Sequence, residues 1–270
     1  MTDYLLLRLY GPLASWGEIA VGESRHSAVQ PSRSALLGLL GAALGIERHD
    51  DAAQQALADG YRFAIKLECV GSPLRDYHTV QVGVPPRKFQ FRSRRQELAA
   101  DKVDTILSTR EYRCDSLALI AVEALPGAPV DLASLAEALR KPCFTLYLGR
   151  KSCPLAAPLA PCLIDAPDAA TALAHVTLPP WRQGAVARVL YTEAGQGDHL
   201  QTRHDQPIDR ARWHFSARPV GVQTVEIRVL DLGGGPQHQV LVGPFEDTEA
   251  QARTLAYLTA NQIPARKVSP

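Results

Sequence analysis

Along the chain, apolar positions switch between a spacing of two, which lines one face of a strand, and a spacing of three or four, which lines one face of a helix. "YLLLRLY", Tyr4 to Tyr10, is a short Leu-rich strand closed by Gly11-Pro12. Leu13 to Gln30 has mixed polarity and reads as a loop. "PSRSALLGLLGAALGI", residues 31–46, predicts a helix from about Ser34 to Leu44, capped by Pro31 or Ser32 and ended by Gly45. Leu36, Leu37, Leu39 and Leu40 leave that helix no polar face, so it should be buried on most sides. Gly38 and Gly41 lower its propensity by roughly 1 kcal/mol each, which predicts close approach of another backbone. Asp51 to Asp59 predicts a second short helix.

Arg62 to Val70, "RFAIKLECV", alternates as a strand does, and Leu74 to Val82, "LRDYHTVQV", predicts another. Residues 83–105 are polar and basic with weak periodicity, and Ile106 to Cys114 predicts the return strand of a long hairpin. Leu117 to Val122 is a buried strand, Leu132 to Arg140 is helical, and "CFTLYLG", Cys143 to Gly149, is strand-like. Strand, helix, strand, inserted hairpin, strand, helix, strand is the ferredoxin-like βαββαβ order with an insertion, an α+β class. Residues 154–186 are rich in Pro and Ala and read as loop with one short helix, Ala169 to His175. Strand-like pieces follow at Val186 to Tyr191 and Trp213 to Val220. From Thr224 the pattern starts again: "TVEIRVLDL", a Gly-rich turn, "HQVLVGPF", a helix from about Thr248 to Asn261, and "ARKVS". This predicts a first domain over 1–223 and a small C-terminal ββαβ unit over 224–270.

Composition narrows the class. The chain has 270 residues, 46% of them hydrophobic, enough core for one large domain or two small ones. Net charge is +1, so an anionic partner would need a local basic patch. No apolar run reaches the roughly 18 residues of a membrane span, and Met1-Thr2-Asp3-Tyr4 lacks the basic start of a secretory signal. The expected place is the cytoplasm, with no membrane partner. Five cysteines without a CxxC pair read as reduced thiols. Asp198-His199 and His204-Asp205 sit in a predicted polar loop with no third ligand at a credible spacing, so neither a metal nor a cofactor is expected.

"PPRKFQFRSRR", Pro85 to Arg95, is the richest patch. Arg87, Lys88, Arg92, Arg94 and Arg95 flank Phe89 and Phe91, and no acid lies between Tyr77 and Gln96. Cations neutralise phosphates and rings stack on unpaired bases; on an extended strand the two rings would share one face. The alternative is a solvated charged loop. "YLGRKSCPL", Tyr147 to Leu155, places Gly149, Arg150 and Lys151 after an apparent strand, where the backbone can approach a phosphate while the cations reach it. A basic turn without a ligand is the plainer reading. At the front of the first helix, Ser32, Arg33 and Ser34 with free N–H groups could hold one phosphate, although nothing there matches a nucleotide P-loop. Asp76-Tyr77-His78 with Lys88 supplies titratable groups for attack by a ribose hydroxyl, but neighbours on a strand point to opposite faces.

Six motifs in order, "RLYGPLASWG", "PSRSALLGLLGAALGI", "LRDYHTV", "TREYRCD", "KPCFTLYLGRKSCPL" and "DQPIDRARWHFSARP", resemble the CasD subunits of Cascade, the type I-E CRISPR surveillance complex. The resemblance runs from about Tyr4 to about Val220. It implies a ferredoxin-like (RRM-like) palm with an inserted β-hairpin thumb, here at about 83–109. It implies a subunit of the RAMP superfamily that caps the 5′ handle of the CRISPR RNA and supports guide-directed antiviral recognition of target DNA. The implied partners are CRISPR RNA, the Cascade large subunit, the backbone subunits and, through the complex, target DNA. Through these motifs Tyr77, His78, Arg110 and Tyr147 join the candidate RNA contacts. In this subtype another subunit cuts the guide, which implies no catalytic residue here. A related subunit of another subtype does cut RNA, so a metal-independent endoribonuclease using Tyr77, His78 and Lys88 stands as the rival. A third reading is an adaptor acting through the tail. The tail, from about Thr224, is outside the resemblance and is loosely similar to a sporulation-related (SPOR) repeat.

Overall fold

Tyr4, Leu6 and Leu5, Leu7, Leu9 alternate in one strand, yet all are buried, which requires a sheet covered on both faces. The computed structural model describes residues 1–20, 22–176, 178, 188–193, 197–209 and 214–226. Thr224–Glu226, where the predicted tail unit begins, are the end of β13 and pair with β11; the rest of that unit lies outside the described residues. The elements are β1 (Thr2–Tyr10), β2 (Leu13–Ala14), β3 (Trp16–Gly17), β4 (Ser24–Arg25), β5 (Ser27–Ala28), α1 (Arg33–Leu44), α2 (Asp51–Gly60), β6 (Tyr61–Cys69), β7 (Ser72–Gly83), α3 (Arg94–Leu98), β8 (Val103–Cys114), β9 (Leu117–Ala124), α4 (Leu132–Arg140), β10 (Cys162–Ala166), α5 (Ala169–Ala174), β11 (Arg188–Thr192), β12 (His199–Asp209) and β13 (His214–Glu226).

The fold is mixed α/β, dominated by antiparallel sheet. Seven strands form the main sheet in the order β10-β1-β9-β6-β11-β13-β12, every neighbouring pair antiparallel. Leu5, Leu7 and Leu9 of β1, Phe63 and Ile65 of β6, and Ile120 and Val122 of β9 pack with Leu36, Leu37 and Leu40 of α1, Leu57 of α2 and Leu135 of α4. On the other face Tyr4, Leu6, Ala64, Leu119 and Leu190 meet Ala172 and Leu173 of α5. A second sheet holds the long hairpin: β7 pairs β8 over their whole length, from Ser72↔Cys114 to Gly83↔Val103. β2 and β4 pair with β8 near its base.

Helix ends follow the capping rules. Ser32 caps α1, its Oγ accepting the Ala35 N–H at 3.2 Å, and Gly45 ends the helix in the left-handed region at φ 76°. Asp50, Asp131 and Asp168 cap α2, α4 and α5.

Several expectations are corrected. Cys143 to Gly149 is not a strand; the fourth strand of that layer is β10, in a stretch whose composition reads as loop. Pro142 has no N–H to start a ladder, and the next two N–H groups go elsewhere: Cys143 donates to Ala43 at 3.0 Å and Phe144 to Ala42 at 2.9 Å. They add partners to the last carbonyls of α1, where Ala42 O also accepts the capping Gly45 N–H at 3.4 Å. Leu146 and Leu148 are buried without belonging to a sheet, so their alternation misleads. His199–Asp209 is a strand and not a polar loop. It is the sheet's edge, and its one buried position is Asp205, ion-paired with partly buried Arg203, a set that carries no apolar signal. The glycines of α1 do not admit another backbone: a Cβ at Gly38 would meet open space, and one at Gly41 would touch the Leu57 and Gln54 side chains of α2. Between Leu13 and Gln30 the loop contains four short bridging strands.

Candidate nucleic-acid interface

The predicted patches fall in three separate places. At the base of the hairpin, the turn Tyr147–Pro154 closes on itself through Leu148 N–H to Cys153 O (2.8 Å) and Cys153 N–H to Arg150 O (2.8 Å). Buried Leu148 and Cys153 hold it down, and Ser15 N–H, just past β2, donates to Leu148 O at 3.0 Å. The Arg150 guanidinium lies 4.8 Å from the centre of the Tyr112 ring and 3.5 Å from the Glu111 carbonyl. Tyr147 and Lys151 are exposed beside it. Arg110 lies two residues from Tyr112 on the same face of β8, opposite Asp76. Arg150 thus meets the hairpin base at Tyr112, with Tyr147 and Lys151 on the same turn and Arg110 two residues from Tyr112 along its strand face.

Burial favours the neutral form of Glu111, but bonds from Arg75 (3.1 Å), His26 (3.3 Å) and the Ser27 N–H hold its carboxyl below the usual range. That carboxylate organises Arg75 and His26 at the base. Sequence reasoning passed over Arg75, Glu111 and Tyr112. The signal was present in "TREYRCD", where strand alternation places Arg110 and Tyr112 on one face.

Gly149 has a different role from the one expected. Its φ is 82°, and a Cβ there would collide with the Ser15 carbonyl oxygen. The close approach is to the chain's own backbone. Gly149→Ala should therefore destabilise the fold by about 1–3 kcal/mol, read as a lower midpoint in urea with unchanged slope. A midpoint equal to wild type would mean the turn is not held as described.

The tip of the hairpin is about 35 Å of strand away from the base. Arg87, Lys88, Arg92 and Arg95 are exposed there. Arg94 is not available in the same way: it pairs with Glu97 at 2.7 Å and donates to the Gln81 carbonyl. Glu97 also accepts the Gly83 N–H at 3.3 Å, so the first acid after the basic run folds back onto it. Phe89 and Phe91 are not on an extended strand. A turn at Pro86–Phe89, with Lys88 at φ 66°, sets the rings edge to face, centroids 5.4 Å apart at 78°.

The front of α1 is already occupied. Arg33 N–H donates to Asp205 Oδ2 at 2.8 Å, so a carboxylate of β12 sits where a phosphate was expected. The Arg33 guanidinium points inward to Glu193, Ala58 O (2.5 Å) and Tyr61 O (3.0 Å), and lies 5.5 Å from the Phe63 ring centre. Ser32 is buried by its capping bond and Ser34 bonds to it at 3.0 Å. Arg218 binds both oxygens of Asp205, at 2.7 and 3.1 Å, and Arg203 approaches at 3.8 Å. Ser32 to Ser34 is thus a folding centre and not a ligand cradle.

His78 pairs with Asp76, two residues along the same face of β7, while Tyr77 projects from the other face. Tyr77 and His78 are not brought together.

These features define a class: a two-sided antiparallel platform carrying a long hairpin with cations at both ends. Comparison with known proteins is more specific. The family model described as CRISPR-associated protein (Cas_Cas5) matches residues 4–221. The Escherichia coli (strain K12) protein "CRISPR system Cascade subunit CasD" is 35% identical over 228 residues, covering 81% of this chain and 94% of that protein. The chain belongs to the CRISPR-associated CasD family. A solved chain titled "CRISPR RNA-guided surveillance complex" is similar at 25% identity and TM-score 0.60, over 95% of this chain and 99% of its own. Another, titled "Crystal structure of Cas protein", is 28% identical with TM-score 0.56, over 82% and 94%.

Proposed function

We propose that this chain is a non-catalytic RNA-binding subunit of a type I-E Cascade complex, working in the cytoplasm, that caps the 5′ handle of the CRISPR RNA. In this reading β10-β1-β9-β6 with α1 and α4 is a ferredoxin-like palm, and the β7–β8 hairpin is the thumb. The observation that carries the proposal is the meeting of the Tyr147–Lys151 turn with the hairpin base, in a chain of the CasD family. Arg150, pre-oriented on Tyr112, presents its free donors to a phosphate, and Arg110 and Lys151 supply charge nearby. Tip cations track more distant phosphates, and Phe89, 42% exposed, offers a ring to an unpaired base. The remaining partners are the large and backbone subunits, with target DNA reached through the complex. The separation of Tyr77 from His78 supports binding without cleavage.

Arg150→Ala should weaken handle binding by about 1.5–3 kcal/mol, and Arg150→Lys should recover only part, because an ammonium neither stacks on Tyr112 as a plane nor binds two oxygens. Fluorescence anisotropy with handle RNA reads both. Wild-type affinity in Arg150→Ala would remove the base of the hairpin from the interface.

A further inference from the structure

At the hairpin base, the face of β7 and β8 that carries Arg150 holds one acid among cations. Cross-strand partners share a face, so Leu74 with Tyr112, Asp76 with Arg110 and His78 with Ser108 form three successive rows. Arg150 stacks on Tyr112, one row from Asp76, and exposed Arg25 of β4 is the partner of Arg110 on its other side. A surface that gripped only phosphates has no use for a carboxylate there, because like charges repel. The plain reading of Asp76 is a cross-strand ion pair that steadies the ribbon. The opposite face shows such a pair, Arg75 donating to its partner Glu111 at 3.1 Å. Asp76 does otherwise. Its Oδ2 meets His78 Nε2, two residues along its own strand, and among the described residues no ion pair joins it to Arg110. The Asp76 and His78 side chains are 40% and 37% exposed. The imidazole thus fixes the carboxylate through one oxygen and leaves Oδ1 open.

We propose that Asp76 is an acceptor site for a donor group of the bound RNA, a base amino group or a ribose 2′-hydroxyl, with His78 as its positioning residue. The inference rests on reading the hairpin base as an RNA interface. An ionised carboxylate only accepts hydrogen bonds, so it takes N–H and O–H groups and turns phosphates away. Carboxylates accept from base amino groups in direct readout, and unpaired RNA offers those edges and its 2′-hydroxyls. Arg110, Arg25 and Arg150 supply charge for the phosphates on either side. The acid therefore sets which part of a nucleotide faces β7, a choice that cations alone do not make.

The test titrates the full chain, as wild type, Asp76→Asn and Asp104→Asn, with handle RNAs altered at one nucleotide at a time. One set lacks the base amino group (purine riboside for adenosine, inosine for guanosine, 2-pyrimidinone riboside for cytidine), and the other carries 2′-deoxyribose. At one position, one replacement should weaken wild-type binding about tenfold and leave that of Asp76→Asn unchanged, with equal melting temperatures. Loss in the first set assigns the donor to a base, and loss in the second to a ribose. Asp104→Asn makes the same charge change on the same face, about 20 Å of strand away, and should keep the full response. His78→Ala should shrink the response, and His78→Gln, whose amide still donates, should restore it. The proposal is overturned if every replacement costs Asp76→Asn as much as wild type, or if none costs wild type affinity. It is also overturned if Asp76→Asn tightens all RNAs alike with the response intact, which would make the acid a charge screen. A wild type that binds handle and scrambled RNA equally, yet shows the coupled loss, would count against handle capping alone.

Discussion

Asp205→Ala should cost the fold about 3–5 kcal/mol, a fall in melting temperature on the order of 10 °C. One carboxylate at the edge of the sheet accepts the first N–H of α1 and both donors of Arg218, with Arg203 nearby. Among the described residues, removing it leaves the guanidiniums of Arg33, Arg203 and Arg218 with Glu193 and half-exposed Glu18 as counterions, and an uncompensated buried charge is costly. Asp205→Asn keeps the shape and isolates the charge. The pH dependence has a definite sign. Burial alone would push the Asp205 carboxyl up, but the Arg218 bonds and charge, the Arg33 N–H and the Arg203 charge hold it below the ordinary range. Its contribution is therefore complete above the usual carboxylate pKa of about 3.9 and is lost as pH falls through the lower folded value. Acid unfolding of Asp205→Asn should be flatter than wild type in that window. A stability loss under about 0.5 kcal/mol in Asp205→Ala, the range of ordinary surface changes, would mean the network is not what fixes α1 to β12.

Neutralising Arg87, Lys88, Arg92 and Arg95 together should give the largest change in RNA binding. Each phosphate contact to a single strand contributes about 0.7 to the slope of log affinity against log salt, so four should flatten it by about 2.8. Arg94→Gln added to that variant should change the slope little, because Glu97 already balances Arg94. That contrast separates contact from general charge. If only net charge mattered, the fifth substitution would act like the other four. An unchanged slope in the quadruple variant would identify the tip as solvated surface.

Much of this architecture is legible in the sequence where one physical rule decides. β1, β6, β9 and α4 follow from apolar period, and α1 from its cap, its leucines and the glycine at its end. The hairpin follows from two alternating runs around a basic stretch. Legibility fails where burial is polar or partners are remote. β12 is hidden because Arg203 and Asp205 fill positions where an apolar residue would signal a strand. β10 is hidden by flanking prolines, and "CFTLYLG" imitates a strand while its N–H groups go to α1. The same limit explains the sites. Arg33 beside two serines has the local chemistry of an anion cradle, but the anion comes from 172 positions away in the same chain. Arg150 was found as a basic turn, whereas the Tyr112 ring that orients it depends on register between distant segments.

The central claim is that the chain grips the guide's 5′ handle without cutting it. It is tested most directly by titrating the full chain, in EDTA, against a labelled repeat-derived handle RNA and a scrambled RNA of equal length. Bound and cleaved fractions are resolved in the same samples. Tighter binding of the handle with all RNA recovered intact is the predicted result. Equal affinity for the two RNAs, or cleavage that disappears in His78→Ala, would contradict it.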